Sequence, residues 1–174
     1  MTKFFLARQS FASIAYEEGK LSLKGNENKA GQDIEKYLTV FREIFSLNNS
    51  KYLSKEVGYE WCCAYVYYLL KKVDYSIDLY PLTNFNWHLG SVRTWYEWAL
   101  ESNIFKVNAY PPLPGDLVLF NHLIEPVDLD HIGIVIKNHA NSILTSEGNY
   151  HNCSGIFERE KNNTIKGYIS LWPL

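Results

Sequence analysis

The chain has 174 residues and a formal net charge of −2, with 47% of its side chains apolar, 16% aromatic and 21% charged. That length suits one domain able to bury roughly 70% of its unfolded surface, and the composition excludes a disordered tail, a collagen-like fibre and a low-complexity linker. The near-neutral balance offers no broad basic field to nucleic acid, and no apolar run approaches the ~18 residues of a membrane-spanning helix. Residues 4–18 set Phe4, Leu6, Phe11, Ile14 and Ala15 close to helical spacing, with Gly19 as the stop. Arg8 and Gln9 cut the apolar start short of the roughly 7–15 residues of a secretory signal. A soluble chain, cytoplasmic as synthesised, is therefore expected, and any delivery outside the cell falls to another system. After a polar loop at Lys24–Lys29, residues 33–46 repeat the helical pattern through Ile34, Tyr37, Leu38, Phe41, Ile44 and Phe45. Trp61 to Val73 is almost wholly apolar until Lys71 and Lys72, which predicts a buried helix. Residues 74–90 read as loop, and 91–101 as a further helix behind Ser91.

From Pro111 onward the character changes. A Pro-rich turn ending at Gly115 precedes a short buried strand, Asp116–Phe120. His131–Ile136 and Ser142–Glu147 read as two more strands, and 153–159 and 165–171 supply candidates for another two. Helices first and strands later predict an α+β domain, an antiparallel sheet packed on a helical half.

Three cysteines form no disulfide framework, and an odd count fits reduced thiols. Cys62 opens the predicted Trp61–Val73 helix, where free N–H groups and the helix dipole favour a thiolate. Taken alone, a buried apolar cysteine is the commoner reading. Its company alters the balance. His131 begins one predicted strand and Glu147 ends the next, so pairing as a hairpin brings the two side chains together. Such a histidine would take the thiol proton, with Glu147 or Asn149 holding its imidazole. The remaining histidines show no metal-ligand spacing, and the sequence has neither H-E-x-x-H nor C-x-x-C nor a glycine-rich phosphate loop. No metal and no cofactor are expected.

Five segments resemble, in order and spacing, the motifs of CHAP domains, papain-like cysteine amidohydrolases and peptidases related to NlpC/P60. They are Trp61–Val66, Pro114–Phe120, Asp130–Val135, Ser146–Asn149 and Ile165–Ile169. The resemblance covers residues 56–172, with 1–55 as a helical N-terminal part of a single 1–174 domain. It implies Cys62 as nucleophile, His131 as general base, Glu147 as the residue orienting it and Asn149 as a polar neighbour of the triad. Gly115-Asp116 matches a structural turn. Cys63 departs from the small residue usual at its position and, about 100° around the helix from Cys62, is expected to pack into the core.

The resemblance further implies hydrolysis of an amide bond in bacterial peptidoglycan, as an N-acetylmuramoyl-L-alanine amidase or a stem-peptide or cross-bridge endopeptidase. The alternatives are the same fold acting on a small γ-glutamyl or polyamine amide, and a non-catalytic module that binds cell-wall peptide. Trp61, Trp87 and Trp95 are the expected substrate-binding rings, core packing being the competing role for each. The expected partner is a peptidoglycan or peptide substrate, with no nucleic acid, no membrane and a monomeric state.

Overall fold

Apolar spacing becomes helix largely where the pattern places it. In this computed structural model, which describes residues 3–172, α1 spans Lys3–Lys20 and buries Phe11 and Ala15 completely. The two residues at each end of the expected 1–174 domain lie outside the described residues. The single helix expected over 33–46 is instead two short ones, α2 (Glu35–Leu38) and α3 (Arg42–Asn48). Between them Val40 and Phe41 donate three residues back, to Tyr37 and Leu38, which tightens the chain out of α-helical register. Arg42 turns inward there. It pairs with Glu35 and donates to the carbonyls of Tyr52, Ser54 and Val57, each at 2.8 Å. The loop so pinned leads directly into α4 (Cys62–Lys72), which is buried from Cys62 through Tyr67 and again at Leu69 and Leu70. α5 (Val92–Glu101) follows.

Six strands complete the chain: β1 (Phe105–Val107), β2 (Leu117–Phe120), β3 (His131–Asn138), β4 (Ser142–Tyr150), β5 (Cys153–Glu160) and β6 (Ile165–Ile169). They form one antiparallel sheet in the order β1-β6-β2-β3-β4-β5. Period-two alternation sorts the strands onto two faces. Leu117, Leu119, Ile132 and Ile134 pack with the helices, while Val118, Phe120, Val135 and Ile143 form a smaller cluster on the other face. Both faces of β2 are covered, which is why Leu117–Phe120 reads as a continuous apolar run. β1, only three residues long, carries no periodic signal in the sequence. α4 packs on β3 and β4 and also touches α2. Among the described residues no helix is long and apolar enough to cross a membrane.

A buried ion pair fastens the first helix to the sheet. Arg8 Nη1 lies 2.5 Å from Asp116 Oδ1, and Nη2 donates to the Trp172 carbonyl at 2.8 Å and to Ser170 Oγ at 3.1 Å. Asp116 Oδ2 accepts the Leu113 N–H at 2.8 Å, closing the turn at Gly115, whose φ of +91° suits glycine. Removing one partner strands the other charge in a dry interior. Asp116→Ala is therefore expected to cost about 3–5 kcal/mol of stability, read as a lowered urea midpoint.

Candidate active site

Strand register places the first two candidate side chains. Gly133 pairs with Glu147 across β3 and β4, and His131, two residues before Gly133, shares its face. A Cβ on Gly133 would sit 2.7 Å from Glu147 Cγ, so the glycine is the space through which the carboxylate reaches His131. Gly148 answers a second demand. A Cβ there would lie 2.4 Å from Tyr65 Cβ, because α4 rides directly on β4 at that point. Tyr65 Oη and Ser146 Oγ, 2.7 Å apart, hold the same junction. Gly148→Ala is expected to lose about 1–3 kcal/mol of stability by overpacking. Turnover should drop further than that loss explains, because α4 carries Cys62; urea titration beside an activity assay checks both.

Glu147 is fully buried and fully bonded. Its Oε2 lies 3.0 Å from His131 Nε2 and 2.7 Å from Arg159 Nη2, while Oε1 accepts from Arg159 Nε at 2.9 Å and from Thr145 Oγ1 at 2.5 Å. Burial alone would raise its pKa, but His131 and Arg159 overrule it and bring the carboxyl down to about 2. Arg159 went unnoticed in the sequence. Gly155, Phe157 and Arg159 share the face of β5 on which Gly155 pairs with Glu147 and Phe157 with Thr145, and that alternation is the signal that could have found it. The guanidinium lies 4.1 Å from the Tyr150 ring and 4.8 Å from the Phe157 ring, so it is held by two aromatic faces as well as by the carboxylate.

Cys62 is the first residue of α4 and His131 the first of β3, so helix and sheet meet where both begin. The thiol pKa is well below its ordinary value. Hydrogen bonding from the Cys63 thiol does most to lower it, burial opposes, and the neighbouring His131 imidazolium lowers it further. Burial works against a charged imidazole, yet the neighbouring Cys62 sulfur and Glu147 carboxylate lift His131 to about 10. With Nε2 engaged by Glu147, the buried Nδ1 has no hydrogen-bond partner in the resting site and is the nitrogen left for the thiol. Cys63, expected only to pack, does pack, at 1% exposure. Burial and then the Cys62 sulfur push its own thiol well above the ordinary value. A thiolate on Cys62 beside an imidazolium on His131 is the arrangement these shifts favour.

Asn149 lines the same cavity as Cys62 and His131. It sits at φ +64°, where the register between β4 and β5 shifts, a bulge that re-aims the side chain toward the site. Its Nδ2 donates to Glu60, which Lys29 holds from the other side.

Two of the three expected substrate-binding rings are corrected. Trp61 and Trp95 are 0% exposed and line no surface groove. Trp61 stacks on Tyr37, and Trp95 is locked by its indole N–H to the Leu89 carbonyl at 2.8 Å. Rings this large are needed to fill the space around α4. Trp87 remains at the surface, stacked on Phe85, in a depression with Asn48, Asn86 and Arg93 that does not include Cys62. Among the described residues no group of three or more His, Cys, Asp or Glu side chains is arranged to hold a metal ion.

A family model of the CHAP domain matches residues 54–149, more than half of the chain, from the loop before α4 through Asn149. No curated protein and no solved structure gives a significant match. Helices packed on a six-stranded antiparallel sheet agree with the papain-like α+β fold of that family. The chain belongs to the CHAP domain family, a family of amidases and peptidases.

Proposed function

We propose that the chain hydrolyses an amide bond of bacterial peptidoglycan with Cys62 as nucleophile, His131 as acid and base, and Glu147 as the group that orients His131. The observation that carries this reading is the buried chain from Arg159 through Glu147 to His131, with Cys62 lining the same cavity as that imidazole. The Cys62 thiolate attacks the amide carbonyl, forming a C–S bond. Free N–H groups at the start of α4, that of Cys62 first among them, receive the oxyanion. As the C–N bond breaks, imidazolium Nδ1 gives its proton to the departing amine. Water then attacks the thioester, His131 takes the water's proton, and the acid leaves with Cys62 restored. Glu147 stays ionised throughout, fixing the ring and balancing its charge.

The test is digestion of purified cell walls. Turbidity should fall with wild type, and the soluble fragments should carry new free amino groups without new reducing sugar ends. No release by wild type, or equal release by Cys62→Ser, overturns the reading.

A further inference from the structure

Two depressions meet at Cys62. One, of about 360 Å³, is lined by His131, Asn149, Glu125 and His151; the other, of about 530 Å³, by Phe45, Tyr52, Tyr59 and Ser91. Lys29, Glu60, Cys62 and Asp130 border both, so they form one groove with the sulfur at its waist. Only the first is lined by His131. The proton that releases the amine comes from that imidazole, so the amine half of the substrate must lie on the His131 side. The acyl half, bonded to sulfur, then lies among the aromatic rings of the other lobe. This direction rests on the hydrolytic reading of Cys62 and His131 given above.

We propose that the His131-side lobe selects a leaving amine whose own half of the substrate bears a second positive charge, as in a diamino-acid residue. The charge balance of the wall is negative. Lys29 and Glu60 pair with each other and cancel, the Cys62 thiolate and His131 imidazolium cancel likewise, and Glu125 remains, with Asp130 at the border of the two lobes.

The hydrogen-bonding vacancies agree. Asn149 is 6% exposed, and because its Nδ2 is committed to the Glu60 carboxylate, which can only accept, its Oδ1 is fixed as the free end. That oxygen is buried with no partner, at the wall of the lobe. Asp130 repeats the pattern: Oδ2 accepts the Ile124 and Glu125 N–H groups at 2.6 and 3.0 Å, while Oδ1 has no partner. Two idle acceptors and an exposed carboxylate, that of Glu125, match a donor-only group with three N–H bonds to give, which is an ammonium. A carboxylate or phosphate entering the same lobe would meet like charge and acceptors it cannot satisfy.

Charged thiol reagents read this lobe without any knowledge of the natural substrate. Aminoethyl, methyl and sulfonatoethyl methanethiosulfonates are compared for their rates of modifying Cys62, located by mass spectrometry. In wild type the cationic reagent should outpace the anionic one by about tenfold more than it does toward a free thiol. Glu125→Gln should cut that ratio about threefold and leave the neutral reagent's rate unchanged. A companion pair of peptides, with lysine or norleucine immediately after the scissile amide, should show kcat/KM favouring lysine by about fivefold, reduced by the same substitution. A reagent ratio indifferent to Glu125→Gln, or equal cleavage of the two peptides, overturns the proposal. Retention of the reagent ratio with neither peptide cut supports the subsite and counts against the hydrolytic reading instead.

Discussion

Cys62→Ser is expected to lower turnover by at least about 10³-fold while leaving the unfolding midpoint near that of wild type. The hydroxyl fits the same small space but cannot ionise at the pH where a depressed thiol does. Iodoacetamide separates the thiols without a substrate. Cys62 should be alkylated rapidly at about pH 6.5, Cys63 only after unfolding, and the half-buried Cys153 slowly.

The pH profile follows from the signs of the two shifts. Cys62 is lowered, so thiolate persists well below the ordinary range, and His131 is raised to about 10, so imidazolium persists up to there. Turnover should hold across neutrality and fall as pH passes about 10, where the ring no longer has a proton for the leaving amine. Alkylation should not fall there, because the thiolate remains. Cys63→Ser keeps a donor to the Cys62 sulfur and should keep most activity. Cys63→Ala removes it and should move the acid limb of both profiles upward.

The second large effect belongs to Arg159. Arg159→Met should reduce kcat by about 10²-fold with little change in KM, since the guanidinium acts on Glu147 rather than on substrate. Without it, burial raises the Glu147 pKa with only His131 opposing, so the carboxylate protonates at higher pH and the imidazolium loses its counter-charge. The acid limb of turnover should therefore climb. Breaking this buried pair should also cost about 3 kcal/mol in urea unfolding. Arg159→Lys should recover charge but not the two-point grip, restoring part of the pH profile and less of kcat. A stability loss alone, with kcat and its pH limbs unmoved, would reduce Arg159 to a structural prop.

Much of this was legible in the sequence, for identifiable reasons. The Trp61–Val73 run, the short apolar strands after Asp116 and the placing of His131 and Glu147 on successive strands each reflect one dominant local constraint. They predicted the buried helix, the antiparallel sheet and the meeting of His131 with Glu147. Local signals failed where distant groups decide. The helix expected over 33–46 breaks because Arg42 is drawn inward by carbonyls at residues 52, 54 and 57. Trp61 and Trp95 looked like groove rings because composition cannot tell a ring that faces a ligand from one that fills a core. Arg159 lay in a strand with no motif, and only the register of β5 on β4 connects it to Glu147.

The close approach of Gly148 to Tyr65 makes the site a ruler of the distance between two layers. Cys62 travels with the helical layer, whereas His131, Glu147 and Arg159 travel with the sheet, and a misplacement of about 1 Å between reacting groups can cost 10²-fold in rate. Any loosening that lets α4 rise from β4 separates sulfur from imidazole before a strand is lost. Catalysis should thus fail ahead of secondary structure on warming. A chain caught with its helical layer undocked would carry Cys62, His131, Glu147 and Arg159 and yet be inert.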